Sequence, residues 1–146
     1  MLKYLVLFQN RYMLCTSGVP QQSTLGPLLF ILFMNDVTVV LTYSKCLMFA
    51  DDLKIYCLVK SVLDATNLQR DLDMLSSWCQ QNCLFLNNYK CKTMSVHRKR
   101  CPIVFEYQLN QIPLARLSVV KDLGVMLDST LSFTQHVDFV VCKAYT

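Results

Sequence analysis

Two short apolar segments, residues 46–50 and 53–57, are separated only by Asp51 and Asp52. A strand, two polar turn residues and a second strand form the pattern of a tight antiparallel hairpin. Any fold that buries both segments must place the aspartates outside, because burying an unpaired ionised carboxylate is costly. We therefore predict a hairpin whose tip presents Asp51 and Asp52. Their side chains should point to opposite sides of the sheet.

The segments on either side of this hairpin have a helical pattern. Pro27 suits the first turn of a helix whose apolar stripe runs from residue 28 to residue 37. After Ser61 a longer helix is predicted to cover one face of the hairpin's sheet, and Asp71 falls on its solvent side. The apolar side of this longer helix contains Leu63, Leu68, Leu72, Leu75, Trp78 and Cys79.

The last third of the chain has strand patterns and a final helix. Residues 103–109 alternate between apolar and polar side chains, which predicts a half-buried strand, and a second strand is expected near Ile112. Residues 123–127 predict another strand, and Ser132 with Gln135 predicts a capping box that opens the last helix. The fold class is therefore α+β, with antiparallel hairpins packed on helices.

Composition limits where such a chain functions. Hydrophobic residues make up 53% and charged residues 16%, which indicates a packed fold rather than a disordered chain. The apolar run at 28–34 is shorter than a membrane span of about 20 residues, and residues 1–8 are too short an apolar run for a signal peptide. We expect an intracellular protein of the cytoplasm or nucleus, without a membrane partner.

The same setting predicts that the eight cysteines are free thiols. A zinc site would have to use Cys79, Cys83, Cys91 and Cys101, whose spacing matches no common zinc pattern. Cys79 and Cys83 are expected on one helical face instead.

Two interpretations of the paired aspartates compete. Asp is a favoured turn residue, so the pair can be structural. Carboxylate oxygens are also the ligands that Mg²⁺ prefers, and a hairpin anchored by two apolar strands would hold them rigidly. The net charge of +4 permits a nucleic-acid partner without requiring one. The basic run at 97–100 is either a solvated loop or a phosphate contact.

Four motifs in order distinguish between these interpretations. Residues 17–30 read SGVPQQSTLGPLLF, residues 49–52 read FADD, residues 84–92 read LFLNNYKCK, and residues 121–136 read KDLGVMLDSTLSFTQH. Together they resemble the reverse transcriptases of jockey-like non-LTR retrotransposons. The resemblance covers roughly residues 11–146, and its strength lies in the order of the motifs.

This resemblance implies an RNA-directed DNA polymerase that transfers nucleotides from dNTPs onto a primer–template. It implies that Asp51 and Asp52 bind Mg²⁺, with Mn²⁺ as an alternative. Because side chains alternate along a strand, at most one of the two should face the substrate directly, and we expect it to be Asp51. Lys90 becomes the candidate that neutralises or protonates departing pyrophosphate, although without the family it is a solvated surface lysine. The residues implied to touch template and incoming nucleotide are Gly18, Pro20, Gln21 and Gln22.

The resemblance also implies domain organisation and partners. Residues 1–128 would form a partial polymerase palm, and residues 129–146 the start of a thumb or connection segment. The expected partners are an RNA template, a DNA primer, dNTPs and other parts of the retrotransposon polyprotein.

Two departures argue against activity of the isolated chain. Gln22 stands where the family has Gly, and no residue before Asp36 is acidic, although the family has a further catalytic aspartate upstream of the SGVPQ loop. We therefore expect the isolated chain to be inactive. The alternatives are a catalytically dead remnant that still binds nucleic acid and a repurposed protein-interaction module.

Overall fold

The computed structural model of the chain describes residues 2–8, 25–50, 52–97 and 103–145. Helices and strands are mixed along the chain, as the α+β prediction requires. The helices are α1 (Gly26–Asn35), α2 (Val37–Val40), α3 (Val62–Gln81) and α4 (Thr134–Ala144). The strands are β1 (Leu2–Phe8), β2 (Lys45–Phe49), β3 (Asp52–Leu58), β4 (Lys92–Val96), β5 (Gln108–Leu109), β6 (Ile112–Pro113), β7 (Ala115–Leu117), β8 (Val119–Asp122) and β9 (Val125–Asp128).

Five of these strands form the main sheet, in the order β2-β3-β1-β4-β7. The pairs β2–β3, β3–β1 and β1–β4 are antiparallel, whereas β4 and β7 are parallel. Strand β1 therefore lies between β3 and β4, and Val6 is in register with both Lys54 and Lys92. Strands β5–β6 and β8–β9 form two separate antiparallel hairpins.

The predicted hairpin is confirmed, with its turn one residue earlier than expected. Met48 pairs with Leu53 and Phe49 pairs with Asp52, so Asp52 is the first residue of β3 rather than a turn residue. Ala50 is in the turn with φ 52°, a left-handed conformation that non-glycine residues seldom adopt. Asp51 lies outside the described residues. The fixed register places Asp52 at the end of the sheet.

Helix α3 forms the core against one face of this sheet. Leu68, Leu72 and Leu75 belong to one buried cluster with Leu53 and Ile55 of β3, as the sequence predicts. Residues 103–109 supply the cluster with alternate side chains, although regular strand structure is confined to Gln108–Leu109. The alternate apolar side chains of residues 103–109 are therefore buried as the sequence pattern predicts, even where the segment is not a regular strand.

The ends of α3 are set by local polar residues. Ser61 accepts a hydrogen bond from the backbone N–H of Asp64, and the Asp64 carboxylate accepts from the N–H of Ser61, which completes a capping box. The carboxylate also accepts from the N–H of Lys60, and these bonds lower the pKa of Asp64. The helix ends at Asn82, so Cys83 lies in an exposed turn and does not share the buried helical face of Cys79. That prediction was wrong.

Two further predictions about α3 were also wrong. Leu63 is 65% exposed, because it lies in the first turn before the helix reaches the sheet. Asp71 is buried at 2% exposure, because its carboxylate accepts backbone N–H groups from the loop before β2. Periodicity alone could not reveal those partners.

Two predictions for the last third of the chain were also wrong. The strand predicted at 123–127 is interrupted by a turn, in which Leu123 and Gly124 both have positive φ angles. No capping box opens α4, because Phe133 precedes the helix in a left-handed conformation and the Ser132 hydroxyl donates to Asp128 instead. The strand expected near Ile112 is present as β6.

Helices α1 and α4 bury little apolar surface against the described residues. α1 exposes most of its predicted stripe, and only Gly26 and Met34 are buried within it, while α4 buries no residue. Within the described ranges, no helix is both long enough and apolar enough to span a membrane.

Candidate functional site

Strand β3 divides its side chains between two faces of the sheet. Leu53 and Ile55 belong to the core cluster with α3, so they define the helix side. Side chains alternate along a strand, so Asp52, Lys54 and Tyr56 lie on the opposite face, called here the open face. Asp52 is half-buried at the end of β3. Of the two predicted catalytic aspartates, the described one therefore lies on the open face at the sheet's end.

Lys90 lies at the same end of the sheet as Asp52. It belongs to the turn before β4, where its backbone N–H donates to the carbonyl of Asn87 at 3.0 Å, and it is exposed. β4 begins at Lys92, which is level with Lys54 across β1, so the turn before it is level with Asp52. Two strand spacings separate β3 from β4, about 10 Å. The fold thus brings two predicted site residues, Asp52 and Lys90, to the same end of the sheet.

The remaining predicted site residues are outside the described part of the chain. These are Gly18, Pro20, Gln21, Gln22 and Asp51. Within the described ranges, no three His, Cys, Asp or Glu side chains are grouped closely enough to hold a metal ion. Six described cysteines form no disulfide: Cys46, Cys57, Cys79, Cys83, Cys91 and Cys142. Burial raises the pKa of Cys79 to about 11, with a smaller contribution from Cys91.

A buried ion pair lies two residues beyond Asp52 on the open face. Lys54 Nζ is 2.5 Å from Asp122 Oδ1, and the two side chains are 6% and 12% exposed. The apolar pattern of residues 53–57 did not predict this pair. A lysine between Leu53 and Ile55 was the available signal, because a buried lysine requires a partner.

Asp122 belongs to the β8–β9 hairpin, which packs on the open face. Val120 and Leu127 of this hairpin contact Met94 and Val96 of β4 in a small apolar cluster. The N–H of His97, just after β4, donates to the carbonyl of Ser129 at 3.0 Å. The hairpin therefore covers the open face beside β4, and its ion pair reaches β3.

A second buried carboxylate fixes the loop that leads into β2. Asp71 of α3 accepts the backbone N–H groups of Thr42, Tyr43 and Ser44 at 3.0, 2.9 and 2.7 Å, and the Ser44 hydroxyl at 2.6 Å. These charge-assisted bonds connect the covering helix to the strand that runs toward the hairpin tip. Asp71 is thus a structural residue of the site.

A third carboxylate, Asp128 at the end of β9, organises the segment before α4. It accepts the N–H groups of Thr130, Ser132 and Phe133, together with the hydroxyls of Thr130 and Ser132. These bonds favour the ionised form and hold the pKa of Asp128 well below its usual range, the hydroxyls having the largest effect. His136 of α4 accepts the N–H of Met126 at 3.4 Å, which joins this helix to β9.

Comparison with known proteins gives a consistent result. The sequence profile of the family described as Reverse transcriptase (RNA-dependent DNA polymerase) matches residues 2–127. A Drosophila melanogaster protein described as a probable RNA-directed DNA polymerase from transposon X-element is 31% identical over 83% of this chain. The RNA-directed DNA polymerase from mobile element jockey of the same species is 30% identical over 83% of the chain. The chain spans 14% of the length of each of these relatives. No solved structure matches the chain.

Proposed function

This chain belongs to the reverse transcriptase family, with the polymerases of jockey-like non-LTR retrotransposons, and on that premise we propose that residues 1–128 are part of a polymerase palm. The proposed activity is that of an RNA-directed DNA polymerase, with an RNA template, a DNA primer and dNTPs as partners. Residues 129–146, which include α4, are proposed to begin a thumb or connection segment.

The β2–β3 hairpin is the observation that carries this proposal. Its register places Asp52 at the end of the sheet, on the face opposite α3. We therefore propose that Asp52, rather than Asp51 as the sequence suggested, faces a substrate on the open face, while the strand that bears it is anchored in the core. Lys90 at the same end is proposed to neutralise or protonate departing pyrophosphate. We propose that Gly18, Pro20, Gln21 and Gln22 contact template and nucleotide.

The donor chemistry at the hairpin fits one hard divalent cation. Carboxylate oxygens of Asp51 and Asp52 are ligands that Mg²⁺ or Mn²⁺ accepts. Such an ion, when bound, would neutralise charge on the phosphate oxygens during nucleotidyl transfer. The residues that would hold it here are Asp51 and Asp52.

A pair of ions would require further carboxylates. In β1, the strand next to Asp52, the residue in register is Phe8, and LKYLVLF contains no acidic residue. We therefore propose that the 146-residue chain alone does not extend primers.

A segment exchange tests this proposal. Residues 2–127 would replace the matching segment of the jockey polymerase, and primer extension on an RNA template would be measured with Mg²⁺. We expect extension by the chimaera and none by the isolated chain. Asp51→Asn and Asp52→Asn should abolish extension in the chimaera, whereas Asp73→Asn, an exposed residue of α3, should not. Gln22→Gly should raise activity, because glycine permits closer backbone approach.

The outcomes are separable. A chimaera that extends primers regardless of both aspartate substitutions would contradict the proposed site. Extension by the isolated chain above its Asp51→Asn variant would contradict the proposed inactivity.

A second candidate is a remnant that binds nucleic acid without catalysis. Lys45 in β2 is in register with Tyr56, and Lys92 in β4 is level with Lys54, so both lysines lie on the open face. Phosphate contacts by these lysines should give an affinity for a primer–template duplex that falls steeply with salt. Fluorescence anisotropy of the wild type and of Lys45→Met with Lys92→Met tests this candidate. A salt-independent affinity would favour a protein-interaction module instead.

A further inference from the structure

We propose that Lys54 and Asp122 are positioning residues, whose ion pair fixes the β8–β9 hairpin over the strand that begins at Asp52. The inference rests on the proposed function in one respect, because it takes the open face as the side that receives the primer–template. The position of the hairpin then sets how much of that face remains open beside Asp52.

The ion pair is both short and shielded from water. Lys54 Nζ and Asp122 Oδ1 are 2.5 Å apart, with side-chain exposures of 6% and 12%. Salt and water weaken such a pair much less than a surface pair. Removing either partner removes this ion pair from a charge that stays largely shielded from water, which is costly.

The other described contacts between the hairpin and the sheet involve β4. Val120 and Leu127 contact Met94 and Val96, and the carbonyl of Ser129 accepts the N–H of His97. Strand β1 separates β4 from β3. The Lys54–Asp122 pair crosses β1 and connects the hairpin to β3.

The two kinds of contact constrain the hairpin differently. Apolar contacts are non-directional, so those with β4 hold the hairpin against the sheet without fixing its angle across β1. The hydrogen bond between His97 and Ser129 holds the end of the hairpin away from its turn, whereas Asp122 lies beside the turn. A charge pair two residues from Asp52 specifies which residue of β3 the hairpin meets. The ion pair therefore fixes the position of the β8–β9 hairpin more than it stabilises the fold.

Energetics support this distinction. Replacing a buried ion pair by well-packed apolar side chains is often neutral or stabilising, so stability by itself does not require charges here. Lys54→Met combined with Asp122→Leu should therefore unfold at a urea midpoint similar to that of the wild type. In the same variant the hairpin should be less well fixed, because the directional contact is lost.

Hydrogen exchange of the 146-residue chain measures hairpin position separately from global stability. In Asp122→Asn and in Lys54→Met, the amides of β8–β9 should exchange at least about tenfold faster than in the wild type. The amides of β2–β3 and α3 should change by less than about twofold. The charge-swapped variant, Lys54→Asp with Asp122→Lys, should restore slow exchange of β8–β9. Lys45→Met, an exposed lysine on the same face, is the matched control.

Each outcome is decisive. Unchanged exchange of β8–β9 in both single variants would overturn the proposal, as would equal acceleration in every segment, which would indicate a purely stabilising pair. Failure of the swapped variant to slow β8–β9 exchange would count against it as well. No nucleic acid enters the measurement, so a chain that binds no primer–template would contradict the proposed function while leaving this result intact.

Discussion

The two faces of the five-stranded sheet are covered in different ways. On the helix side, α3 and alternate residues of the 103–109 segment form one large apolar cluster with β3. On the open face, the β8–β9 hairpin contributes a small cluster around Met94 and Val120, one backbone hydrogen bond and one ion pair. The helix side therefore holds most of the buried apolar surface, whereas the open face depends on a few directional contacts.

This difference separates the contacts that stabilise the fold from the contacts beside the candidate site. The apolar cluster stabilises β3 from the helix side of the sheet, and β3 carries Asp52 at its end. The contacts on the open face determine what lies next to Asp52. Substitutions on the helix side should therefore unfold the chain, while substitutions on the open face should alter it locally.

The largest expected effect is on the helix side. Leu72 is 0% exposed within the large cluster, and Leu72→Ala should lower the free energy of unfolding by about 2–5 kcal/mol. Met94 is 1% exposed, but its cluster lies beneath a two-stranded hairpin that can settle, so Met94→Ala should cost about 1–3 kcal/mol. Urea unfolding monitored by Trp78 fluorescence compares the two. Equal losses would remove the distinction between the faces.

An intermediate effect is expected where α3 holds the loop before β2. Asp71→Ala removes the acceptor for three backbone N–H groups and one hydroxyl, and should cost about 2–4 kcal/mol in urea unfolding. Asp73→Ala is the matched control, because Asp73 is exposed on the same helix and should change stability by less than about 0.5 kcal/mol. Similar losses in the two variants would show that the buried bonds do not stabilise this loop.

The smallest effect is expected at Asp128, and it should depend on pH. The pKa of this carboxyl is lowered in the folded chain, so its ionised form stabilises the segment before α4 at any pH above the ordinary value. That contribution is lost as the pH falls below about 4 toward the folded-state pKa. NMR amide shifts of Thr130, Ser132 and Phe133 in the folded chain should therefore stay constant from neutral pH to well below about pH 4, where an ordinary aspartate is already protonated, and should move only at lower pH.

The Asp128→Asn variant provides the control. Its amides at these three positions should have altered shifts already at neutral pH, because the side-chain amide has a single acceptor oxygen and no charge. Shifts identical to the wild type would show that the carboxylate does not organise this segment.

Apolar periodicity predicted the elements that form the helix-side core. The hairpin pairing, the burial of Leu68, Leu72 and Leu75, and the alternate burial within 103–109 all follow from it. The errors lie where a polar side chain bonds to a backbone distant in sequence or where a turn interrupts an apolar run. Asp71 and the 123–127 segment are the examples. At Ser132 the error has another cause, because the hydroxyl donates to the nearby carboxylate of Asp128 instead of capping α4.

For the candidate site, the motifs pointed to the hairpin aspartates and to Lys90, and the fold places Lys90 at the same sheet end as Asp52. The ion pair between Lys54 and Asp122 was not predicted. Its partners are 68 positions apart along the chain, since Asp122 follows Lys54 by that number. Lys54 and Asp122 each resemble a surface residue when only the residues adjacent in sequence are considered.

By itself the sequence determined the α+β class, the β2–β3 hairpin and membership of the reverse transcriptase family. The fold class and the hairpin depend on residues that are adjacent or separated by one helical or strand repeat, so local patterns reveal them. Family membership depends on the order of four motifs along the chain, which the sequence also contains. Only the tertiary structure decided which charged side chains are buried together, which turn ends each strand, and where the β8–β9 hairpin lies on the sheet. The physical reason is that a buried charge is tolerated only beside a partner, and the partner is supplied by chain folding rather than by proximity in sequence.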